Sequence, residues 1–436
     1  MLTLQEKINF LFVGLGYLEH NYGAQGIAFP LMAKLSGRFT SKYTFVLSHD
    51  SQKWDKLTFR TVAASHPLFI LGKCCLLFLP FYLFIRRKVR LKDEKTKYFL
   101  LINALKDSDV IIDLSGIEFI GNLPLIRRYS QLLSTISMQL LAEKHNKIYL
   151  KYTKSYGPFP NKDKVYRFFA RKQLNKLPFV FVRGENNLKN IRKLGLNIPA
   201  YSFPDISISL QPETEKWALD YVNRLGIDVS QKICGLSPST VIASIEIKSK
   251  NSSCGASHVK LCKKIVEFYR LNNRQVILIP HSIYDGKNTK ICDLALCKKI
   301  YTELKDKKGV FIINDMDLTY EQVRAIIGLL DFHITGRYHS LCSALSMTVP
   351  VVSLSWHIKY EDVMRLFLED FLAIDCRKTN VEKSLKLITK YYDDRQWFDK
   401  EEIQERKKRV LKEIDKSITI LANFINKVKK ESVRKF

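Results

Sequence analysis

The chain has 436 residues, 46% hydrophobic and 11% aromatic, which excludes a disordered chain and exceeds what one hydrophobic core usually organises, so two domains are expected. Lys and Arg total 71 against 43 acidic residues, and the resulting formal charge of +28 suits nucleic acid, an anionic membrane surface or a phosphorylated substrate. Nine cysteines without a Cys-x-x-Cys pair or zinc-type spacing read as reduced thiols, and no Asp-rich or His/Cys cluster suggests a metal.

In chain order, the opening "MLTLQEKINFLFVGLG" has charged residues before a short apolar run and no small-residue cleavage site, so a cytoplasmic rather than secreted chain is expected. The first half then alternates apolar runs with helical stretches, with strands expected at 7–16, 43–49, 109–116, 147–153 and 178–184. Their hydrophobicity is continuous rather than alternating, the pattern of parallel strands covered by helices on both faces. Between them, "HPLFILGKCCLLFLPFYLFIRRKVRLK" (66–92) is broken by Lys73 and Pro80 and ends in a basic cluster. Too interrupted to span a bilayer, the segment suits a peripheral position over anionic lipid, or else a buried or partner-facing helix.

The series restarts after "YSFPDISISL" (201–210), with strands expected at 232–238, 275–282, 309–315, 331–337, 349–356 and 371–376. Two successive strand–helix series imply an α/β fold of two doubly wound, Rossmann-like domains facing each other across a cleft. The expected boundaries are 1–210, 211–400 and a basic amphipathic tail over 401–436, whose apolar side includes Val410, Ile414, Ile418 and Leu421.

Chemistry concentrates in "DFHITGRYHSLCSALSMTVPVVSLSWHIKYEDV". A buried strand ends near Gly336 and a helix begins around Tyr338 to Ser340, which leaves Arg337 and His339 on the intervening turn. A helix N-terminus with an adjacent Arg favours an anion, and His339 adds a proton carrier. Taken alone, Gly-Arg-Tyr-His is more often a structural turn than a site. His281, after the strand "QVILIP", and His357 and Lys359, after "VVSLS", fall on the same sheet edge. Together these groups suggest a site for a small polyanion. Asn21, Asp113, Glu118 and Arg183 also stand at strand ends, where an open α/β sheet places its binding crevice. Nucleic acid fits the charge but no recognised motif or basic-aromatic platform, and is not expected.

The run from Gly336 to His339 followed by "ALSMTVPVVSLSWHIKY" resembles the polysaccharide pyruvyl transferase family. Supporting matches are "NYGAQGIA" (21–28), "DVIIDLSGIEFIG" (109–121), "SYGPF" (155–159), "VRGENN" (182–187), "PDISISL" (204–210) and "IPHS" (279–282), so the resemblance extends over about residues 7 to 376. It departs at Ala24, where the family usually has Asp in an acceptor-side loop, and at Thr348, where Gly commonly ends the helix in a left-handed cap.

The resemblance implies a glycosyltransferase B-like architecture and transfer of pyruvate from phosphoenolpyruvate, as co-substrate and without a further cofactor, to a sugar as a ketal. It places the donor on Arg337, Gly336, Ser340 and Lys359, with Arg183 reaching from the N-terminal domain, His339 as acid and His281 as base or phosphate contact. Asn21, Asp113 and Glu118 are the candidates for acceptor hydroxyls, and a lipid-linked glycan would fit a peripheral membrane enzyme. The alternatives are a glycosyltransferase of the same fold using a sugar nucleotide, and a non-catalytic, membrane-associated glycan-binding protein. The acceptor sugar and the oligomeric state are not specified by the sequence.

Overall fold

The computed structural model describes residues 7–15, 18–19, 21–47, 59–63, 100–121, 123–248, 257–283, 292–369 and 371–433. The segment 67–92, for which membrane contact is expected from sequence, lies outside them. Among the described residues no helix is long and apolar enough to cross a membrane. The chain divides into unit 1 (Met1–Glu19, Ala28–Asp205, Glu413–Phe436) and unit 2 (His20–Ile27, Ile206–Lys412).

Unit 1 contains β1 (Lys7–Val13), β2 (Thr40–Leu47), β3 (Phe59–Ala63), β4 (Val110–Asp113), β5 (Ile117–Glu118), β6 (Ile148–Lys151), β7 (Ser155–Tyr156), β8 (Val180–Arg183) and β9 (Ala200–Phe203). Its main sheet is parallel, in the order β3-β2-β1-β4-β6, with β5 paired to β7 and β8 to β9. One face packs Leu11, Val13 and Ile111 with Leu132 and Leu141 from helix Leu125–Lys144 and Tyr166 and Leu174 from helix Lys164–Leu174. The other carries aromatics, with Phe10 stacked on Tyr43 at 5.6 Å between centroids. Each large apolar side chain so buried stabilises the fold by about 1.5–3 kcal/mol.

Unit 2 contains β10 (Ile233–Ser237), β11 (Gln275–Leu278), β12 (Val310–Ile312), β13 (Phe332–Thr335), β14 (Val351–Ser355) and β15 (Ala373–Asp375). All six are parallel, in the order β12-β11-β10-β13-β14-β15. Counted within the unit this is 3-2-1-4-5-6, the doubly wound order whose direction reverses between its first and fourth strands. A crevice for ligands is therefore expected beyond the carboxyl ends of β10 and β13. Helix Tyr320–Gly328 starts with a capping box in which Thr319 and Gln322 bond each other's backbone. Its Arg324, wholly buried, donates to the carbonyls of Ser207 and Leu210, both at 2.6 Å, and so pins the 3-10 turn Ile206–Ser209.

The C-terminal segment is a single helix, Lys400–Val433. Its residues divide between the units: Lys407 donates to the carbonyl of Ser346 (2.7 Å) in unit 2, whereas Ser417 bonds Tyr152 (2.7 Å) and Lys429 pairs with Asp109 (2.6 Å) in unit 1. Thr348 takes the left-handed conformation expected where Gly commonly stands, with φ of 53°.

Candidate active site

The turn between β13 and helix Tyr338–Ser346 is built by its own backbone. Thr335 Oγ1 accepts from the Arg337 amide (3.0 Å), and the N-cap residue makes no side-chain capping hydrogen bond to the helix. Arg337 supplies the N-cap residue. Its guanidinium donates to Thr240 Oγ1 (2.8 Å) and forms a short ion pair with Asp293, a fully buried carboxylate.

Asp293 also accepts from the backbone and hydroxyl of Thr240, each at 3.1 Å, and from the amide of Ser282 at 2.9 Å. One carboxylate therefore joins the turns that follow β10, β11 and β13. Sequence reading missed Asp293 because it opens a helix far along the chain, and only the fold brings it under Arg337.

The segment around Asn21 forms another wall. Asn21 bridges Ser282, and its side-chain oxygen accepts from the amides of Gly23 (3.1 Å) and Ala24 (3.3 Å). Tyr22 lies edge-on to His281 (5.7 Å) and parallel to Tyr320 (6.3 Å), while Gln25 accepts from the Tyr320 amide at 2.8 Å. Glycine is required at 23, since a Cβ there would overlap the His339 ring. The "NYGAQG" run thus belongs to unit 2.

These groups enclose a cavity of about 350 Å³ lined in part by Asn21, Thr240, His281, Arg337, His339 and Lys359, a volume within the usual range for small-molecule sites. Among the described residues no carboxylate lines it. His281 is buried, and neither ring nitrogen has a hydrogen-bond partner among the described residues. Burial, with His333, Arg337 and His339 nearby, holds its pKa well below the ordinary histidine value, so the ring is neutral at neutral pH. Lys359 is boxed by aromatic rings, its Nζ 4.8 Å from the centre of Tyr338, 5.2 Å from Trp356 and 5.7 Å from Tyr360. Tyr360 in turn donates to the carbonyl of Gly336 at 2.9 Å.

The structure thus brings together Asn21, His281, Arg337, His339 and Lys359. Asn21, expected to serve the N-terminal domain, belongs instead to unit 2. Gly336 does not line the cavity and contributes its carbonyl to Tyr360. Ser340, expected on the donor, is buried with its hydroxyl bonded to His333 (2.8 Å) and Ser237 (3.0 Å) beneath the helix. His357 Nδ1 accepts from the Lys359 amide at 3.2 Å and thereby shapes the loop.

Arg183 is also corrected: it is buried in unit 1, where it donates to the carbonyl of Thr153 (2.9 Å) and pairs with Asp205 (2.9 Å). Asp113 and Glu118, expected to face acceptor hydroxyls, are occupied by buried lysines. Lys151 meets Glu118 at 2.8 Å and Asp113 at 3.1 Å, and Lys154 meets them at 2.7 and 2.6 Å. Their strand-end positions are as expected, but their lone pairs are taken. Among the described residues no group of three or more His, Cys, Asp or Glu side chains could hold a metal ion.

The family model for polysaccharide pyruvyl transferase matches residues 22–358, a span that begins with the Tyr22 wall and ends beside Lys359. The chain belongs to the polysaccharide pyruvyl transferase family. No curated protein matches it by sequence. In this family member the fold is glycosyltransferase B-like, as similarity to solved structures shows. The UDP-GlcNAc 2-epimerase of Methanocaldococcus jannaschii aligns with a TM-score of 0.53 at 12% identity, over 93% of this chain and 99% of its own. Anabaena Alr3699/HepE, solved in complex with UDP, aligns at 0.53 and 10% identity over 98% and 100%. A glycosyltransferase from Rickettsia africae aligns at 0.51 and 13% identity over 97% and 99%.

Proposed function

We propose that this family member transfers a pyruvyl group from phosphoenolpyruvate to two hydroxyls of a sugar in a polysaccharide or lipid-linked glycan, forming a ketal and releasing phosphate. The observation that carries this reading is a cavity with two cations and two histidines and, among the described residues, no lining carboxylate. A three-carbon donor with a phosphate and a carboxylate needs such a surplus of positive charge. Arg337, oriented by Asp293, and the helix end it caps take one anionic group, and Lys359 takes the other.

His339 protonates the donor methylene carbon, which leaves the adjacent carbon open to attack. His281, neutral and desolvated, accepts the proton of the attacking hydroxyl. Of the two hydroxyl protons, one ends on the new methyl group and one on the departing phosphate, so the reaction balances without redox chemistry. No cofactor beyond the co-substrate is required.

The experiment is a thermal-shift titration of phosphoenolpyruvate against wild type and Arg337→Ala, with UDP, GDP and inorganic phosphate as controls. Stabilisation by phosphoenolpyruvate, lost in the variant, is the expected result. A sugar-nucleotide donor is the competing reading, since Alr3699/HepE has this fold and was solved in complex with UDP. Stabilisation by UDP or GDP alone would transfer the site to that chemistry. Tight glycan binding without phosphate release would favour a non-catalytic protein.

A further inference from the structure

Helix Lys164–Leu174 of unit 1 has two faces of unequal logic. Inward, Tyr166, Ala170 and Leu174 join the core. Outward, Val165, Phe168 and Phe169 are 57%, 59% and 41% exposed, at a spacing that puts them on one side of the helix with Lys172. The phenyl rings of Phe168 and Phe169 meet edge to face at 5.5 Å in solvent. Leu125 and Ile126, at 62% and 86%, are exposed at the start of helix Leu125–Lys144. The two helix starts are pinned together, because Asp163 caps the first and receives Arg128 (2.6 Å) and Tyr129 (2.9 Å) from the second.

Around these apolar side chains the exposed charges of the run 162–172 are basic. Lys162, Lys164, Arg171 and Lys172 are exposed, and Asp163, the acid within the run, is occupied by its cap and ion pair. An apolar patch rimmed by cations on a rigid helix matches a surface with an apolar interior and anionic phosphates.

We propose that this face docks on an anionic lipid bilayer, with Phe168 and Phe169 entering the interface and the lysines and arginine lying at the phosphates. The face shares no residue with segment 67–92 or with the cavity, so the proposal stands apart from the reaction assigned above. Attraction of this kind weakens as salt rises, because the basic side chains are exposed and screened.

The test is co-sedimentation of the full chain with vesicles of phosphatidylcholine containing phosphatidylglycerol, against phosphatidylcholine alone, at low and high salt. Wild type is expected to bind the anionic vesicles at low salt only. Lys164→Glu/Lys172→Glu should weaken binding at least tenfold, on the order expected for reversing two charges near such a surface. Phe168→Ser/Phe169→Ser should weaken it with the salt dependence retained. Both pairs are exposed, so melting temperatures should stay near wild type. Equal binding to both vesicle types, or wild-type binding by both variants, would overturn the proposal. So would a concentration-dependent dimer dissolved by the Phe168/Phe169 substitutions, which would give the face to a second copy of the chain.

Discussion

At the carboxyl edge of its central strands each unit gathers charge, but with opposite bookkeeping. In unit 1, β4 and β6 end in Asp113 and Lys151, and with Glu118 and Lys154 they form a buried quartet of two carboxylates and two ammonium groups. Tyr149 adds a hydroxyl donated to Asp113 at 2.9 Å. In unit 2 the same edge carries Arg337 and Lys359 with one carboxylate, Asp293, behind them. Closed and neutral, the first network holds structure together. The second keeps positive charge facing a cavity, which is the condition for binding an anion.

The largest effect that can test this contrast is on turnover. Arg337→Ala should reduce transfer about a thousandfold, the scale of losing a preorganised charge contact. Its melting temperature should change by a few degrees, because Asp293 keeps Thr240 and the Ser282 amide as donors. Steady-state kinetics beside a melting curve decides it: wild-type rates would remove Arg337 from the mechanism, and global unfolding would make the turn structural.

In unit 1 the expected loss is in stability. Glu118→Ala leaves Asp113 as the one carboxylate against two buried ammonium groups, so one positive charge is uncompensated, and breaking a buried pair this way costs about 3–5 kcal/mol, read by denaturant unfolding. A loss under about 1 kcal/mol, the scale of a surface pair, would break the comparison.

Acid should separate the units. Burial lowers His258 to about 4 and His333 to about 3 and holds His281 well below the ordinary value, and all three belong to unit 2. Their unfolded forms take up protons below about pH 6.5 while the folded forms do not, so stability is lost as pH falls through that value. At pH 5.5 His258 and His333 each contribute a loss on the order of 1 kcal/mol, and His281 acts in the same direction. Asp113 behaves otherwise: burial would raise its pKa, but Lys154 and Lys151 hold it well below 3.8, so its contribution persists until the pH drops below that point. Hydrogen exchange at pH 5.5 should therefore show unit 2 amides loosening first, and the reverse order would contradict this account.

The smallest effect is a gain. Thr348, β-branched and left-handed, should give about 1 kcal/mol back on replacement by Gly. A lower melting temperature for Thr348→Gly would show that its side chain contributes more than its backbone strain removes.

The strands were legible because buried parallel strands leave continuous apolar runs: those expected at 232–238 and 331–337 form Ile233–Ser237 and Phe332–Thr335. β3 was not expected, and the ends of several runs are loop rather than strand. Of the site, Arg337, His339, His281 and Lys359 were visible from their positions after apolar runs. Asp113, Glu118 and Arg183 looked alike by that criterion, and only their counterions distinguish them. Lys151, Lys154 and Asp205 lie at separations that carry no local signal. Asp293 and the aromatic box around Lys359 were missed for the same reason.

Residues 20–27 have a consequence for biosynthesis. They precede the rest of unit 2, which resumes at Ile206, yet belong to it, and Gln25 bonds a partner 295 positions later. The chain must be made through residue 320 before Tyr22 can reach both His281 and Tyr320, and a contact of such long sequence separation forms slowly. A fragment limited to 206–412 would carry the strands of the second sheet but leave His281 and His339 without the cover of Tyr22 and Gly23, and a ribosome-bound nascent chain is in that same unfinished state in reverse, holding the wall and waiting for the room.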